Sequence, residues 1–339
     1  MRVLVLGGTG WLGGQLATEA LRAGHEVVCV ARGRSGKPPP GAAFLPADRS
    51  APGAYETLAG ERWDVTFDVA RQPGQVREAA AALVGGTTLY AFVSSISVYA
   101  EHKELGLDED APLLEALEGD VMPSLERYGE AKVACEHHVL SAFGLDRSLI
   151  ARPGLIAGPG DASDRTGYWP YRFAHPSAPD GRVLVPDAPG ESAQIVDVRD
   201  LAQWLLAAAC DRLGGIYNVV GPTMPLADHL EAARSVAGHT GQAVAAPPDW
   251  LRAHGVHPWA GSRSLPLWTG DPELAGHGAH SASKATAAGL AVRPLAQTLA
   301  DTLAWERGRR QPRPRAAGIA DGEERELLEA LAGAERSGT

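Results

Sequence analysis

Three glycines spaced three residues apart constrain the fold of this chain more than any other sequence feature. Gly7, Gly10 and Gly13 follow an apolar run at residues 3–6, and residues 12–21 behind them have the spacing of an amphipathic helix. Glycine permits a tight turn between strand and helix, and it lets the backbone come close to a bound pyrophosphate. Unpaired N–H groups at the helix N-terminus favour the same anion. The pattern predicts a dinucleotide-binding turn.

Strand and helix patterns alternate after this turn. Short strand-like runs recur at residues 27–30, 44–45, 65–69 and 89–93, and residues 75–83 and 125–140 have helical patterns. Because right-handed crossovers lay each helix on a face of the sheet, this order predicts parallel strands covered on both sides. We therefore predict an α/β fold with a Rossmann-type, doubly wound parallel sheet.

The regular alternation loosens after residue 150. Strand patterns at 148–151, 195–198 and 216–220 still belong to the sheet, with helices predicted at 201–210, 294–307 and 322–335. The segments between them are rich in proline and aromatic residues. We predict a nucleotide-binding domain at 1–157 completed by about 193–222, a smaller substrate-binding region at 158–192 and 223–310, and a linker with a C-terminal helix at 311–339.

The charge balance argues against a polyanionic partner. The chain has 31 Lys and Arg residues against 41 Asp and Glu, a net charge of −10, so its surface should repel nucleic acid. Five arginines gather near the C-terminus beside Pro312 and Pro314, which favours a solvated linker over a nucleic-acid tail: Arg307, Arg309, Arg310, Arg313 and Arg315.

Nothing in the sequence directs the chain to a membrane or a secretory route. Its apolar runs are far shorter than the roughly 20 residues of a membrane helix, and the N-terminus has no secretory-signal pattern. Cys29, Cys135 and Cys210 lie far apart in apolar stretches and are interpreted as buried, reduced thiols. We expect a cytoplasmic protein. Histidines lie three residues apart at 254/257 and at 277/280. No cysteine or acidic cluster completes a tetrahedral ligand set with either pair, so we expect no metal site.

The residues after the second strand bear on the choice of dinucleotide. A carboxylate there would bind the adenosine ribose and repel a 2′-phosphate, but this chain has Arg32 and Arg34 instead. A guanidinium group pairs with that phosphate, which favours NADP(H) over NAD(H). The alternative is that both arginines are solvated loop residues. Asp48, after the third strand, is a candidate ligand for the adenine amino group.

Three side chains have the chemistry for proton transfer to a carbonyl. Tyr128 and Lys132 are four residues apart in a predicted helix, so both point to one face. Serines, including Ser95 and Ser97, cluster after a central strand, at the edge where open α/β sheets bind ligands. Lys132 would favour the phenolate form of Tyr128, which would exchange a proton with a carbonyl or alcohol oxygen that Ser95 holds. The alternative is a solvated tyrosine and lysine beside a serine-rich turn.

Three segments of the chain resemble the extended short-chain dehydrogenases/reductases, the NAD(P)-dependent epimerase/dehydratase-like proteins. They are GGTGWLG at 7–13, FVSSISVY at 92–99 and YGEAK at 128–132, and the resemblance covers about residues 1–222. It places Ser95, rather than Ser94 or Ser97, at the catalytic serine position. It also implies cofactor contacts from further residues, namely Thr9, Trp11, Leu12, Ala70 and Pro153. The family's habit of pairing through helices implies a homodimer.

Two departures from the family narrow the expected chemistry. Ile96 and Ser97 stand where the dehydratases carry an acidic pair, and the segment 152–155 (RPGL) lacks the asparagine usual in nucleotide-sugar epimerases. The resemblance then implies an NADP(H)-dependent carbonyl reductase or alcohol dehydrogenase for a small molecule. A sugar epimerase that retains its cofactor and a regulatory protein that binds NADP without catalysis are the alternatives.

Aromatic residues at 168–173 are candidates for the substrate pocket. Tyr168 and Trp169, together with Ser97, are predicted to contact an uncharged or aromatic substrate. The alternative is that this cluster anchors a loop to the protein core.

Overall fold

The computed structural model describes residues 1–309 and 315–337. Its strands, in chain order, are β1 (Arg2–Leu6), β2 (Glu26–Ala31), β3 (Ala43–Pro46), β4 (Trp63–Asp68), β5 (Thr87–Val93), β6 (Ser148–Pro153), β7 (Leu155–Ala157), β8 (Val183–Pro186), β9 (Ser192–Ala193), β10 (Ile195–Asp197), β11 (Gly215–Val219), β12 (Met224–Pro225), β13 (Ala243–Ala246), β14 (His257–Pro258), β15 (Gly261–Ser262), β16 (Ser264–Leu265) and β17 (Ala317–Gly318). Its α-helices are α1 (Trp11–Arg22), α2 (Pro73–Leu83), α3 (Tyr128–Phe143), α4 (Arg165–Ala174), α5 (Val198–Cys210), α6 (Leu226–Ala237), α7 (Pro248–Ala253), α8 (Ser283–Ala287), α9 (Leu295–Arg307) and α10 (Asp321–Ser337).

Seven parallel strands form the central sheet, in the order β11-β6-β5-β4-β1-β2-β3. Val3 and Val5 of β1 belong to an apolar cluster with α1 and α5, whereas Leu4 and Leu6 belong to another with α2 and α3. Successive side chains of a strand point to opposite faces, so the sheet is buried on both sides. This arrangement confirms the predicted doubly wound α/β fold and explains the continuous apolar runs.

A second apolar core lies in the C-terminal half of the chain. It contains the fully buried Trp169 and Trp268, together with side chains from α6, α9 and α10. Helix α4 of this core falls in the proline-rich and aromatic segment 158–192, for which no helix was predicted, because Pro170 stands inside the helix and obscures its pattern. Because α10 packs into the same core, the C-terminal helix is an integral part of this region.

One predicted strand of the main sheet is corrected by the structure. Residues 195–198 were expected to extend that sheet, but β10 pairs with β7 in a separate two-stranded sheet. The Asp197 side chain accepts the N–H of Arg199 and caps α5, so the chain turns into a helix at once.

The arginine-rich segment near the C-terminus is only partly a solvated linker. Arg309 pairs with Asp164 and Glu306, both at 2.9 Å, and Arg315 pairs with Glu306 at 3.0 Å. These two arginines are therefore held against buried carboxylates, which corrects the prediction for them. Arg307 ends α9 and is exposed. Residues 310–314, which include Arg310 and Arg313, lie outside the described residues.

Two of the three cysteines are buried as expected. Cys29 and Cys135 lie in the core, whereas Cys210 is exposed because α5 ends at this residue. Within the described part of the chain, no helix combines the length and apolar composition needed to cross a bilayer.

A buried histidine makes the second core sensitive to acid. His229 of α6 is 1% exposed, its Nε2 has no hydrogen-bond partner among the described residues, and burial lowers its pKa to about 4. In the unfolded chain the imidazole titrates near 6.5. The neutral folded form therefore loses stability as the pH falls from about 6.5 toward 4.

Replacing this histidine should reduce that acid sensitivity. Between pH 7 and pH 5, His229→Leu should lose about 2 kcal/mol less unfolding free energy than the wild type. The measurement is urea unfolding at both pH values, with the exposed His137→Leu as the control expected to keep the wild-type dependence. An unchanged pH dependence in His229→Leu would contradict this assignment.

Candidate active site

The glycine turn after β1 is built for close backbone approach. The Gly7 N–H donates to the Val30 carbonyl at 2.8 Å, and the Gly10 N–H donates to the Gly7 carbonyl at 3.0 Å. Gly7 has a φ of +99°, and a Cβ on Gly13 would overlap the Gly7 carbonyl oxygen. Glycine is therefore required at both positions, since a side chain would strain the turn or separate strand from helix.

The N-terminus of α1 is open toward a ligand. Gly10 is its N-cap residue, and no side chain caps the helix. The first-turn N–H groups, those of Trp11, Leu12 and Gly13, therefore remain available to an anion beside the turn. The Trp11 indole donates to the Pro159 carbonyl at 2.8 Å and ties this helix end to the loop after β7.

Lys132 is fixed at the carboxyl ends of β4 and β5. Its ammonium group donates to the Ala70 carbonyl at 2.7 Å and to the Val93 carbonyl at 2.6 Å, and the side chain is 3% exposed. The same Nζ lies 5.8 Å from the centroid of the Tyr128 ring. An ammonium group has three donors, so one N–H remains for a ligand hydroxyl.

A buried ion pair fixes the loop that receives Lys132. Asp68, at the end of β4, accepts two hydrogen bonds from Arg49 at 2.7 Å each and one from the Tyr90 hydroxyl at 2.7 Å. The Asp68 carboxylate also accepts the Ala70 N–H at 2.9 Å. The Asp68 network thus positions the carbonyl of Ala70, and sequence reasoning missed it. An acidic residue ending a buried strand was the available signal.

The serine turn and the start of α3 are packed directly together. The Ser95 hydroxyl donates to the Ser97 hydroxyl at 3.0 Å and accepts the Ser97 N–H at 3.1 Å. A Cβ on Gly129 would overlap the Ser97 carbonyl oxygen, so glycine at this position lets α3 begin against the serine turn. This contact places Tyr128, the first residue of α3 and half-buried, at the same cavity as the serines.

One cavity of about 2120 Å³ contains most of the predicted site. It runs from the glycine turn past the serine turn to the start of α4. The predicted residues along its wall are Gly7, Thr9, Gly10, Trp11, Leu12, Gly13, Arg32, Arg34, Ala70, Ser95, Ser97, Tyr128, Lys132 and Pro153.

Arg32 and Arg34 lie on the exposed wall of this cavity, directly after β2. Within the described chain, neither guanidinium group has a carboxylate oxygen within 4 Å. Gly33 between them has a φ of +72°, which turns the chain at this point. Both cations are therefore free to meet an anionic ligand.

Three predicted contact residues lie elsewhere. Asp48 is not on the cavity wall, and its carboxylate accepts the Ser50 N–H at 3.0 Å. Tyr168 and Trp169 are 1% and 0% exposed and belong to the second core. The prediction that these two aromatic residues line the substrate pocket is corrected, since the Trp169 indole donates to the Pro266 carbonyl inside that core.

The end of the cavity at the start of α4 contains residues that sequence reasoning did not single out. Arg165, Trp259 and His277 line the wall beyond Tyr128. Trp259 and His277 are about a hundred positions from Arg165 in the sequence, so only tertiary packing reveals the group. Among the described residues, no set of three or more His, Cys, Asp or Glu side chains could hold a metal ion.

A family comparison agrees with this architecture. Residues 3–220 match the model of the NAD dependent epimerase/dehydratase family, so the chain belongs to this family. The resemblance to extended short-chain dehydrogenases/reductases is thereby confirmed.

Individual relatives include enzymes with two kinds of chemistry. The chain is 28% identical over 262 residues to 2'-dehydrokanamycin reductase of Streptomyces kanamyceticus, covering 74% of this chain and 70% of that protein. UDP-glucuronic acid 4-epimerase from Bacillus cereus, solved with NAD, superposes with a TM-score of 0.64 at 16% identity, covering 91% and 99% of the two chains. UDP-N-acetylglucosamine 4-epimerase from Methanobrevibacter ruminantium M1 superposes with a TM-score of 0.66 at 18% identity, covering 91% and 98%. The two structural likenesses show a shared fold.

Proposed function

We propose that the protein is an NADP(H)-dependent oxidoreductase that interconverts a carbonyl and an alcohol on a small molecule. The observation that carries the proposal is the anchored Lys132 ammonium, held by two carbonyls beside the Tyr128 ring and the Ser95 turn. These groups line one cavity together with the glycine turn. The similarity to a reductase supports the same chemistry.

The backbone groups and the charged side chains that line the cavity suit a dinucleotide. The glycine turn is a cradle that a Cβ at Gly13 would fill, and the uncapped first turn of α1 offers N–H groups to a pyrophosphate. When bound, the nicotinamide supplies or accepts the hydride. Lys132 would donate its remaining N–H to a ribose hydroxyl.

The protein side chains would transfer the proton that accompanies the hydride. Ser95 would orient the substrate oxygen when its hydroxyl turns from Ser97 to donate to that oxygen, while the Ser97 N–H still holds the Ser95 oxygen in place. Tyr128 gives a proton to that oxygen in reduction and takes it back in oxidation. The Lys132 ammonium, 5.8 Å from the Tyr128 ring centroid, places a positive charge beside the ring that carries this proton.

Two side chains support reduction over loss of water or recognition of a nucleotide sugar. Ile96 is buried in an apolar cluster after Ser95, so no carboxylate stands there to promote dehydration. Arg152, in the RPGL segment, is 1% exposed and pairs with Glu136 at 2.7 Å. Its guanidinium is already neutralised by that carboxylate.

A coenzyme assay tests the proposed function. NADPH absorbance is followed while the purified protein is mixed with a panel of ketones and aldehydes. We expect loss of NADPH in step with the alcohol formed. Retention of a tightly bound nucleotide without net consumption would instead support an epimerase.

The preference for NADP(H) should depend on Arg32. Arg32→Ala should weaken NADPH binding about 10- to 100-fold, since a hydrogen bond to a charged group contributes about 1.5–3 kcal/mol. NADH lacks the 2′-phosphate, so its affinity should change far less. Fluorescence titration with both coenzymes measures the difference, and equal losses for NADPH and NADH would contradict the assignment.

A further inference from the structure

The guanidinium group of Arg165 is held at the substrate end of the cavity with unused donors. Its Nε donates to the Ser163 hydroxyl at 3.2 Å. The two terminal nitrogens have no hydrogen bond, and no carboxylate oxygen lies within 4 Å of them in the part of the chain that the structure describes. Terminal guanidinium nitrogens carry four donors in a fixed plane. A half-buried guanidinium group with four unused donors can bind a ligand that presents two oxygen acceptors side by side.

A strained tryptophan holds this guanidinium in position. The Arg165 guanidinium carbon lies 5.3 Å from the centroid of the Trp259 ring. Trp259 has a φ of +67°, in the left-handed region that an aromatic residue rarely adopts, and its N–H donates to the Trp268 carbonyl at 2.9 Å. The surrounding fold enforces this conformation, as is common where a side chain is set into a binding site.

The same residue lines the cavity that contains the proposed reacting groups. Burial lowers the pKa of Arg165, and the charges of Asp161 and Tyr128 oppose that lowering. Arg165, in the first turn of α4, and Tyr128 line the same cavity. Asp161 directs its carboxylate at the start of α4, where it accepts from Ser163 and Thr166. Among the described residues, no carboxylate oxygen within 4 Å neutralises Arg165, so its positive charge can attract an anionic ligand.

We propose that Arg165 binds a carboxylate of the substrate and that the substrate class is carbonyl compounds with an acid group near the reacting carbon. This inference rests on the proposed function, since it concerns the same site. Trp259 covers one face of the guanidinium, which leaves its edge for a two-point contact with both carboxylate oxygens. A cationic substrate group would be repelled at this position.

The test compares 2-oxo acids with their methyl esters. The panel runs from pyruvate to benzoylformate, and calorimetry measures binding to the protein saturated with NADP⁺, while NADPH consumption measures turnover. We expect at least one acid to bind 10-fold or more tightly than its ester, and Arg165→Met to reduce that acid-to-ester ratio about 10- to 100-fold. Arg165→Lys should restore part of the ratio, because it keeps the charge and loses the planar fork.

A matched control and separate readouts make the result decisive. Arg22→Met removes an exposed arginine at the far end of α1 and should keep the wild-type ratio. Acids that bind through Arg165 without turnover would support this inference and count against the proposed reaction. Turnover in which esters equal acids, or a ratio that Arg165→Met leaves unchanged, would overturn the carboxylate site while the oxidoreductase proposal stands. Failure of every acid to bind would also overturn the site.

Discussion

Tyr128→Phe should reduce kcat about 10²- to 10⁴-fold while NADPH binding stays near the wild-type value. The phenol contributes its proton only when hydride arrives at or leaves the substrate carbon, so its loss affects the chemical step. The ring itself remains, and with it the packing of α3 against the serine turn.

The Tyr128 prediction requires both a turnover assay and a binding assay. NADPH consumption with a responsive carbonyl substrate gives kcat, and fluorescence titration gives the coenzyme affinity. Tyr217→Phe is a matched control, because this tyrosine lies outside the cavity and donates to the Gly214 carbonyl. Undiminished turnover in Tyr128→Phe would remove Tyr128 from its assigned role.

Lys132→Met should be the second most damaging change, with a loss of about 100-fold in kcat/KM. Methionine removes the positive charge beside the Tyr128 ring, and it removes the donor proposed for the ribose. It also leaves the Ala70 and Val93 carbonyls without their donor, so the unfolding free energy should fall by about 2 kcal/mol.

Two further variants separate the charge of Lys132 from its geometry. Lys132→Arg keeps the charge but should recover little activity, since a planar guanidinium cannot reach two carbonyls as a compact ammonium does. Lys284→Met is the control, because the Lys284 ammonium also lies over a tyrosine ring, 4.9 Å from the Tyr217 centroid, but outside the cavity. This variant should retain full activity. Full activity in Lys132→Met, measured at a temperature where it is folded, would refute the assignment.

The sheet and the nucleotide turn could be predicted from sequence because their causes are local. A strand buried on both faces needs an apolar run such as residues 3–6, and a tight turn against a strand requires glycine at Gly7 and Gly13. Tyr128 and Lys132 were recognisable because one helix sets their spacing.

The end of the cavity at the start of α4 could not be predicted, because tertiary packing forms it. An aromatic cluster at 168–173 has the same composition in a core as in a pocket, and the structure places Tyr168 and Trp169 in the core. Arg165 and Trp259 meet only through packing between distant segments. The length of α4 was hidden by Pro170, which is tolerated there although it removes a backbone donor.

The decisive experiment is a crystal structure of the protein soaked with NADP⁺. We expect the pyrophosphate against the first-turn N–H groups of α1, the 2′-phosphate beside Arg32, and the nicotinamide next to Tyr128, Lys132 and Ser95. A nucleotide bound elsewhere, or a nicotinamide remote from those three side chains, would contradict it.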